Sequence, residues 1–228
     1  MLLYLRDLSP EVFLIYTAAS MLAILTGLAF HEFSHAWAAN ELGDDTAARQ
    51  GRLTLNPLAH LDPLGTALMF LIGFGWAKPT PVNTFRLRTG PRTGNAIVAF
   101  AGPASNFFFA ALAGIPLKMG WVETDEPSLQ SLVRDGTGED YLALLLFFVV
   151  TRNVLLGVFN LIPIPPLDGF SVALGIVPRA WAQQLERLRQ WGPGILMALL
   201  VIGIVNPNLS PIYWIFDVVD DAIYGVLL

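Results

Sequence analysis

The chain is 228 residues long, room for one domain or two small ones. Hydrophobic residues make up 54% and charged residues 14%, with a mean hydropathy of +0.58, so there are too few charges to clothe a soluble surface of this size. Disorder is excluded, a net charge of −5 leaves no basic footprint for nucleic acid, and the balance reads as an integral membrane protein with several helical spans.

The start, MLLYLRDLSPE, has no cationic region leading into a short apolar core, so no cleavable signal peptide is expected. Val12 to Phe30 is uncharged and long enough to cross about 30 Å of hydrocarbon. It continues without a breaker, which predicts one helix over residues 11–42 stopped at Gly43. Residues 63–77 are also uncharged, but with Gly65, Gly73 and Gly75 they are too short for a full crossing and read as a re-entrant or interfacial segment. The flanks have another texture. Residues 51–56 alternate Leu53 and Leu55, and residues 78–87 carry Pro79 and Pro81 ahead of Val82, Phe85 and Leu87. Proline cannot donate to a ladder, so 78–87 reads as an edge strand of a small β-hairpin or sheet, with an irregular loop as the alternative.

Further long spans are predicted over 93–117 and 141–162, the latter interrupted by Arg152. Residues 190–216 are broken by Asn206-Pro207-Asn208, and 211–228 carry Asp217, Asp220 and Asp221. The expected fold class is an all-α polytopic membrane protein in one membrane-embedded domain, residues 1–228. A three-span core covers about residues 11–178, and C-terminal apolar helices cover 179–228. With the N-terminus outside and 63–77 not crossing, most basic residues fall in segments 40–93 and 178–192 on the cytoplasmic side. Arg6, Lys118 and Arg134 then lie outside and Arg152 within the membrane. No cysteine is present, which excludes thiolate metal sites.

His31-Glu32-Phe33-Ser34-His35 is H-E-x-x-H on the first predicted helix. The i, i+4 spacing puts both imidazoles on one face, where they can share a zinc ion, with Glu32 beside them to take a proton from water. Ionisable groups in a lipid-embedded helix are costly and usually functional. A catalytic zinc wants a third protein ligand and an open position. Asp168 stands out, in Asn160-Leu-Ile-Pro-Ile-Pro-Pro-Leu-Asp168-Gly169, where prolines unwind the end of the third span on the side that holds His31 and His35. A helix N-cap is the alternative role for Asp168.

HEFSH, AGPASN (101–106) and NLIPIPPLDG (160–169) together resemble the site-2 proteases, the intramembrane zinc metalloproteases. Asn56-Pro57, His60-Leu-Asp-Pro63 and residues 78–83 resemble their compact bacterial and archaeal branch, over about residues 12–178. The resemblance implies one zinc per chain held by His31, His35 and Asp168, and Glu32 as general base. It implies a site near the cytoplasmic face of the plasma (inner) membrane and a transmembrane protein as substrate. Loop 118–140 is too short for a PDZ domain, and no C-terminal regulatory domain is expected. The competing function is a zinc-binding membrane protein without proteolysis, a transporter or a pseudoenzyme scaffold. The oligomeric state has no signature.

The resemblance also suggests that Asn160 and Asn106 bond the substrate backbone or the oxyanion, against the ordinary role of asparagine in interhelical hydrogen bonds. His60 reads as a polar group in the mouth of the site, with metal ligation, oxyanion donation or capping of the short segment as alternatives. Gly102 reads as a close-packing position. Arg152 has Asp217, Asp220 or Asp221 as possible partners. An unwound substrate needs replacement hydrogen bonds, and Val82, Asn83 and Thr84 on the expected edge strand could supply them by strand addition.

Overall fold

The structure, a computed structural model, describes residues 9–72, 75–122 and 136–227. Arg6, Gly73, Arg134 and most of loop 118–140 lie outside these residues. Helix α1 runs Pro10–Glu41; Ser9 caps it through Oγ, which accepts from Val12 N, and Pro10 opens it where its missing N–H costs nothing. Gly43, with φ 101°, turns the chain away. Next come α2 (Thr46–Arg49), a 3-10 turn over Pro57–Ala59, α3 (Pro63–Ile72) and a 3-10 turn over Thr84–Arg86. Helix α4 is Pro91–Lys118 and α5 is Gly138–Leu161, the latter begun by a capping box of Thr137 and Asp140. Shorter helices close the described chain: α6 (Asp168–Ile176), α7 (Arg179–Leu185), α8 (Gly192–Val205) and α9 (Pro211–Leu227).

Helices α1, α4 and α5 are long and apolar enough to cross a membrane. Residues Arg179–Gln190 and Gly192–Val205 qualify only as a pair bent by 66°. At ten residues, α3 is half the length a crossing needs. The predicted bounds of the long spans are off by one to three residues at each end.

The three long helices pack on one another through small residues, as apolar helices do when lipid provides no hydrophobic drive between them. Ala23 of α1 meets Leu144, Phe148 and Val149 of α5. Ala110 and Leu117 of α4 meet Ala143 and Val150 of α5, with Ile223 of α9 against them. Ile162, Leu167, Leu196 and Ile212 join the C-terminal helices to the proline-rich link after α5.

The expected β-hairpin is not there. Among the described residues no strand forms, and the only β-type pairing is an isolated antiparallel bridge between Leu61 and Ala77. The reason lies in where the backbone groups go. Arg52, 5% exposed, donates to the carbonyls of Ala59, Lys78 and Pro79. Asp44, with no exposed surface, accepts from Asn83 N at 2.6 Å and from Thr46 N at 3.1 Å. Asn83 Oδ1 caps the 3-10 turn by accepting from Phe85 N. Buried side chains take the bonds a ladder would have used, and Pro79 and Pro81 could give none.

Candidate metal centre

Helix α1 presents His31, Glu32 and His35 on its buried face, 4%, 7% and 7% exposed. Asp168 arrives from far along the chain. The prolines after Leu161 end α5, and Leu167 takes the N-cap position, so Asp168 is the first residue of α6 and its carboxylate caps nothing. Arg92 of α4 anchors the other end of α6 by donating to the carbonyls of Leu174, at 2.6 Å, and Val177.

The three side chains converge. His31 Nε2 and His35 Nε2 are 3.0 Å apart, and Asp168 Oδ2 is 3.1 Å from the first and 3.2 Å from the second. Ligands about 2.0–2.1 Å from a tetrahedral zinc stand about 3.3 Å from one another, so this triangle has the size of one face of such a site. No other group of three or more metal-ligating side chains occurs among the described residues.

The proton inventory argues the same way. Asn106 is fully buried, and its Nδ2 donates to Gly27 O at 3.0 Å and to Asn153 Oδ1 at 2.9 Å. Its Oδ1 must therefore accept from His31, whose Nδ1 is 2.6 Å away. His35 Nδ1 donates to Val98 O at 2.7 Å. In the neutral form that a metal ligand requires, both rings then carry their proton on Nδ1 and turn the Nε2 lone pair inward. In that form two lone pairs and a carboxylate oxygen meet with no proton of their own to share. A cation fits this donor set, and zinc, which takes nitrogen and carboxylate ligands, fits it well.

The AGPASN stretch of α4 makes this possible. A Cβ on Gly102 would stand 2.5 Å from His35 Nε2 and 2.7 Å from His31 Cε1, so the close approach expected of Gly102 is made against the imidazoles themselves. On α1, Gly27 leaves room for Asn153, whose Oδ1 lies 2.5 Å from where a Cβ would be.

Glu32 is held from the loop side. Thr80 donates to Glu32 Oε2 through its backbone N at 3.0 Å and through Oγ1 at 2.7 Å. Glu32 Oε1 has no protein donor among the described residues. The cluster opens into a cavity of about 740 Å³, lined also by Trp76, Arg152, Asn160 and Phe216.

The other sequence candidates separate. Asn160 lines the cavity and donates to Leu156 O at 2.9 Å. Asn106 is committed to His31, Gly27 and Asn153, so it is a positioning residue behind the donors and does not face the cavity. His60 is fully buried in the loop, within 2.8 Å of Thr54 O through Nε2, and is not among the cavity-lining residues. Of Val82, Asn83 and Thr84, only Val82 lines the cavity. The Asn83 amide is spent on Asp44, and Thr84 opens a 3-10 turn, so the three do not offer a strand edge. Asn153 and Thr80 were not singled out from the sequence. An amide in an apolar run marks Asn153 as a candidate, whereas Thr80, between two prolines, carries no such mark.

No family model and no solved structure matches the chain. It is 36% identical over 193 residues to the Bacillus subtilis (strain 168) protein named "Putative zinc metalloprotease YwhC", covering 84% of each chain. It is 32% identical over 201 residues to "Putative zinc metalloprotease Rip2" of Mycolicibacterium smegmatis, covering 85% of this chain and 71% of the relative. The protein of that name in Mycobacterium tuberculosis (H37Rv) is 30% identical over 200 residues, with the same coverage.

Proposed function

The chain belongs to the zinc metalloprotease family of YwhC and Rip2, and on that premise we propose that it is an intramembrane endopeptidase of the site-2 protease type. Its substrate is a membrane-anchored protein cut in or near a transmembrane segment. The observation that carries this reading is the convergence of His31, His35 and Asp168 on one point, beside Glu32, at the end of a helix apolar enough to span a membrane.

His31, His35 and Asp168 hold one zinc. When bound, it supplies Lewis-acid polarisation of the scissile carbonyl and lowers the pKa of water at the site. Glu32 is the general base. Thr80 fixes its Oε2, which leaves Oε1 to accept the proton of the attacking water and pass it to the leaving amide nitrogen. Asn160 uses one amide hydrogen on Leu156 O, and the other is available to a substrate carbonyl lying in the cavity. Residues 1–228 act as one membrane-embedded unit. The N-terminus is outside and the site near the cytoplasmic face, as the bias of basic residues toward segments 40–93 and 178–192 supports.

The test pairs zinc content with hydrolysis of a single-span model peptide in lipid. Glu32→Gln retains zinc and loses about 100-fold or more of the rate. Asp168→Ala loses both. Undiminished hydrolysis by Glu32→Gln would overturn the role of Glu32, and full zinc occupancy in Asp168→Ala would overturn the ligand set.

A further inference from the structure

Arg152 sits in α5, one of the three helices apolar enough to span a membrane. A cation in a lipid-embedded helix is costly, so its retention calls for a partner. No carboxylate is within salt-bridge reach of it among the described residues. Its Nε donates to Ser20 Oγ at 3.2 Å and one terminal nitrogen to Tyr16 OH at 3.1 Å, both on α1. Its guanidinium carbon lies 5.3 Å from the centre of the Phe148 ring. These neighbours are neutral, and they meet two of the five N–H donors of the side chain. Asp220 of α9 feels the Arg152 charge through space without contacting it.

The position matters as much as the missing partner. Arg152 lines the same cavity as His31, Glu32 and His35. Its anchor Ser20 precedes His31 by eleven residues on one helix, about 16 Å along the axis. The cavity wall thus carries the metal donors and, about three helical turns back along α1, a cation. The wall between them is mostly apolar, with Ile24, Leu155 and Leu156.

We infer that Arg152 forms a subsite for an acidic side chain in the transmembrane segment of the substrate, in the same cavity as His31 and His35 and about three helical turns from them. This rests on the endopeptidase reading only for the identity of the occupant. A carboxylate brought to Arg152 supplies the counter-charge that Ser20 and Tyr16 cannot, and a bidentate pair fixes the depth of the segment relative to Glu32. Apolar segments lack that register. Arg152 is therefore a specificity-determining residue that touches substrate away from the bond that is cut.

The test uses the Glu32→Gln protein in nanodiscs of zwitterionic lipid and fluorescent single-span peptides. A leucine-rich parent is compared with variants carrying one Asp at successive positions. At one register the Asp peptide binds about tenfold tighter than the parent. In Glu32→Gln/Arg152→Met that ratio falls to about one, in Arg152→Lys it stays above threefold, and in Arg152→Glu the preference passes to a Lys-bearing peptide. Zinc content reports that each variant is folded. A role confined to joining α5 to α1 would change stability and leave the ratio alone. The inference is overturned if no position gives a ratio above threefold, or if the ratio survives Arg152→Met. Hydrolysis by the protein with Glu32 intact is measured in parallel. Asp-dependent binding without hydrolysis sinks the endopeptidase reading alone, and hydrolysis without Asp dependence sinks this inference alone.

Discussion

The three long helices and the 50–88 loop both bring residues to the same cavity, and they hold them by different means. On the helix side, His31 and His35 are set by the pitch of α1, and their second nitrogens are held by Asn106 and by the Val98 carbonyl of α4. The room for them comes from what α4 lacks at Gly102. On the loop side no regular backbone pairing fixes Thr80. Its place depends on Arg52 and Asp44, buried charged residues that bind backbone groups distant in sequence. Helices position by packing and the loop positions by a few buried hydrogen bonds. Damage to the helix side should therefore appear first in metal affinity, and damage to the loop in turnover.

Among residues that are not themselves donors or general base, the largest effect should come from Gly102→Ala. The added methyl meets two imidazoles whose Nδ1 bonds to Asn106 and Val98 resist a move aside, so we expect zinc affinity to fall about 100-fold, with hydrolysis following it. Normal affinity in a metal-competition titration would mean that α4 yields easily and that the helix side is softer than the packing indicates. Asn106→Ala comes next. It frees the His31 ring to rotate, and loss of such an outer partner typically costs 10- to 100-fold in metal affinity. The same titration reads it, and Asn153→Ala should have a weaker effect of the same kind.

Loop variants should part company with these. Arg52→Met leaves three carbonyls without their buried donor. Hydrolysis should drop about tenfold at constant zinc content, and protease cleavage within residues 53–88 should quicken. A fall in zinc occupancy equal to the fall in rate would erase the distinction between the two regions. Thr80→Val should be the mildest. It removes one of two donors to Glu32 Oε2 while the backbone N–H remains, so a two- to fivefold loss in kcat is expected with zinc unchanged.

The same division separates what could be read along the chain from what could not. The gaps between charges located α1, α4 and α5, because a membrane-crossing helix is defined by its own length and apolarity and needs no partner to be recognised. The i, i+4 histidines are likewise local, since one helical turn brings them together. The loop misled the pattern. Alternating Leu53 and Leu55 and the prolines at 79 and 81 suit an edge strand, but a strand exists only if another supplies its ladder, and Arg52 and Asp44 supplied other bonds. The asparagines show the limit most clearly. Asn106 and Asn160 look alike in sequence, each an amide in an apolar span. Which backs the His31 ring and which faces the cavity depends on how α4 and α5 are rotated against α1, a matter of contacts 47 to 79 residues apart. The meeting of Asp168 with the histidines, the hold of Thr80 on Glu32 and the placing of Arg152 against Ser20 and Tyr16 are decisions of the same kind. Each depends on the distance between side chains far apart in sequence, which only packing sets.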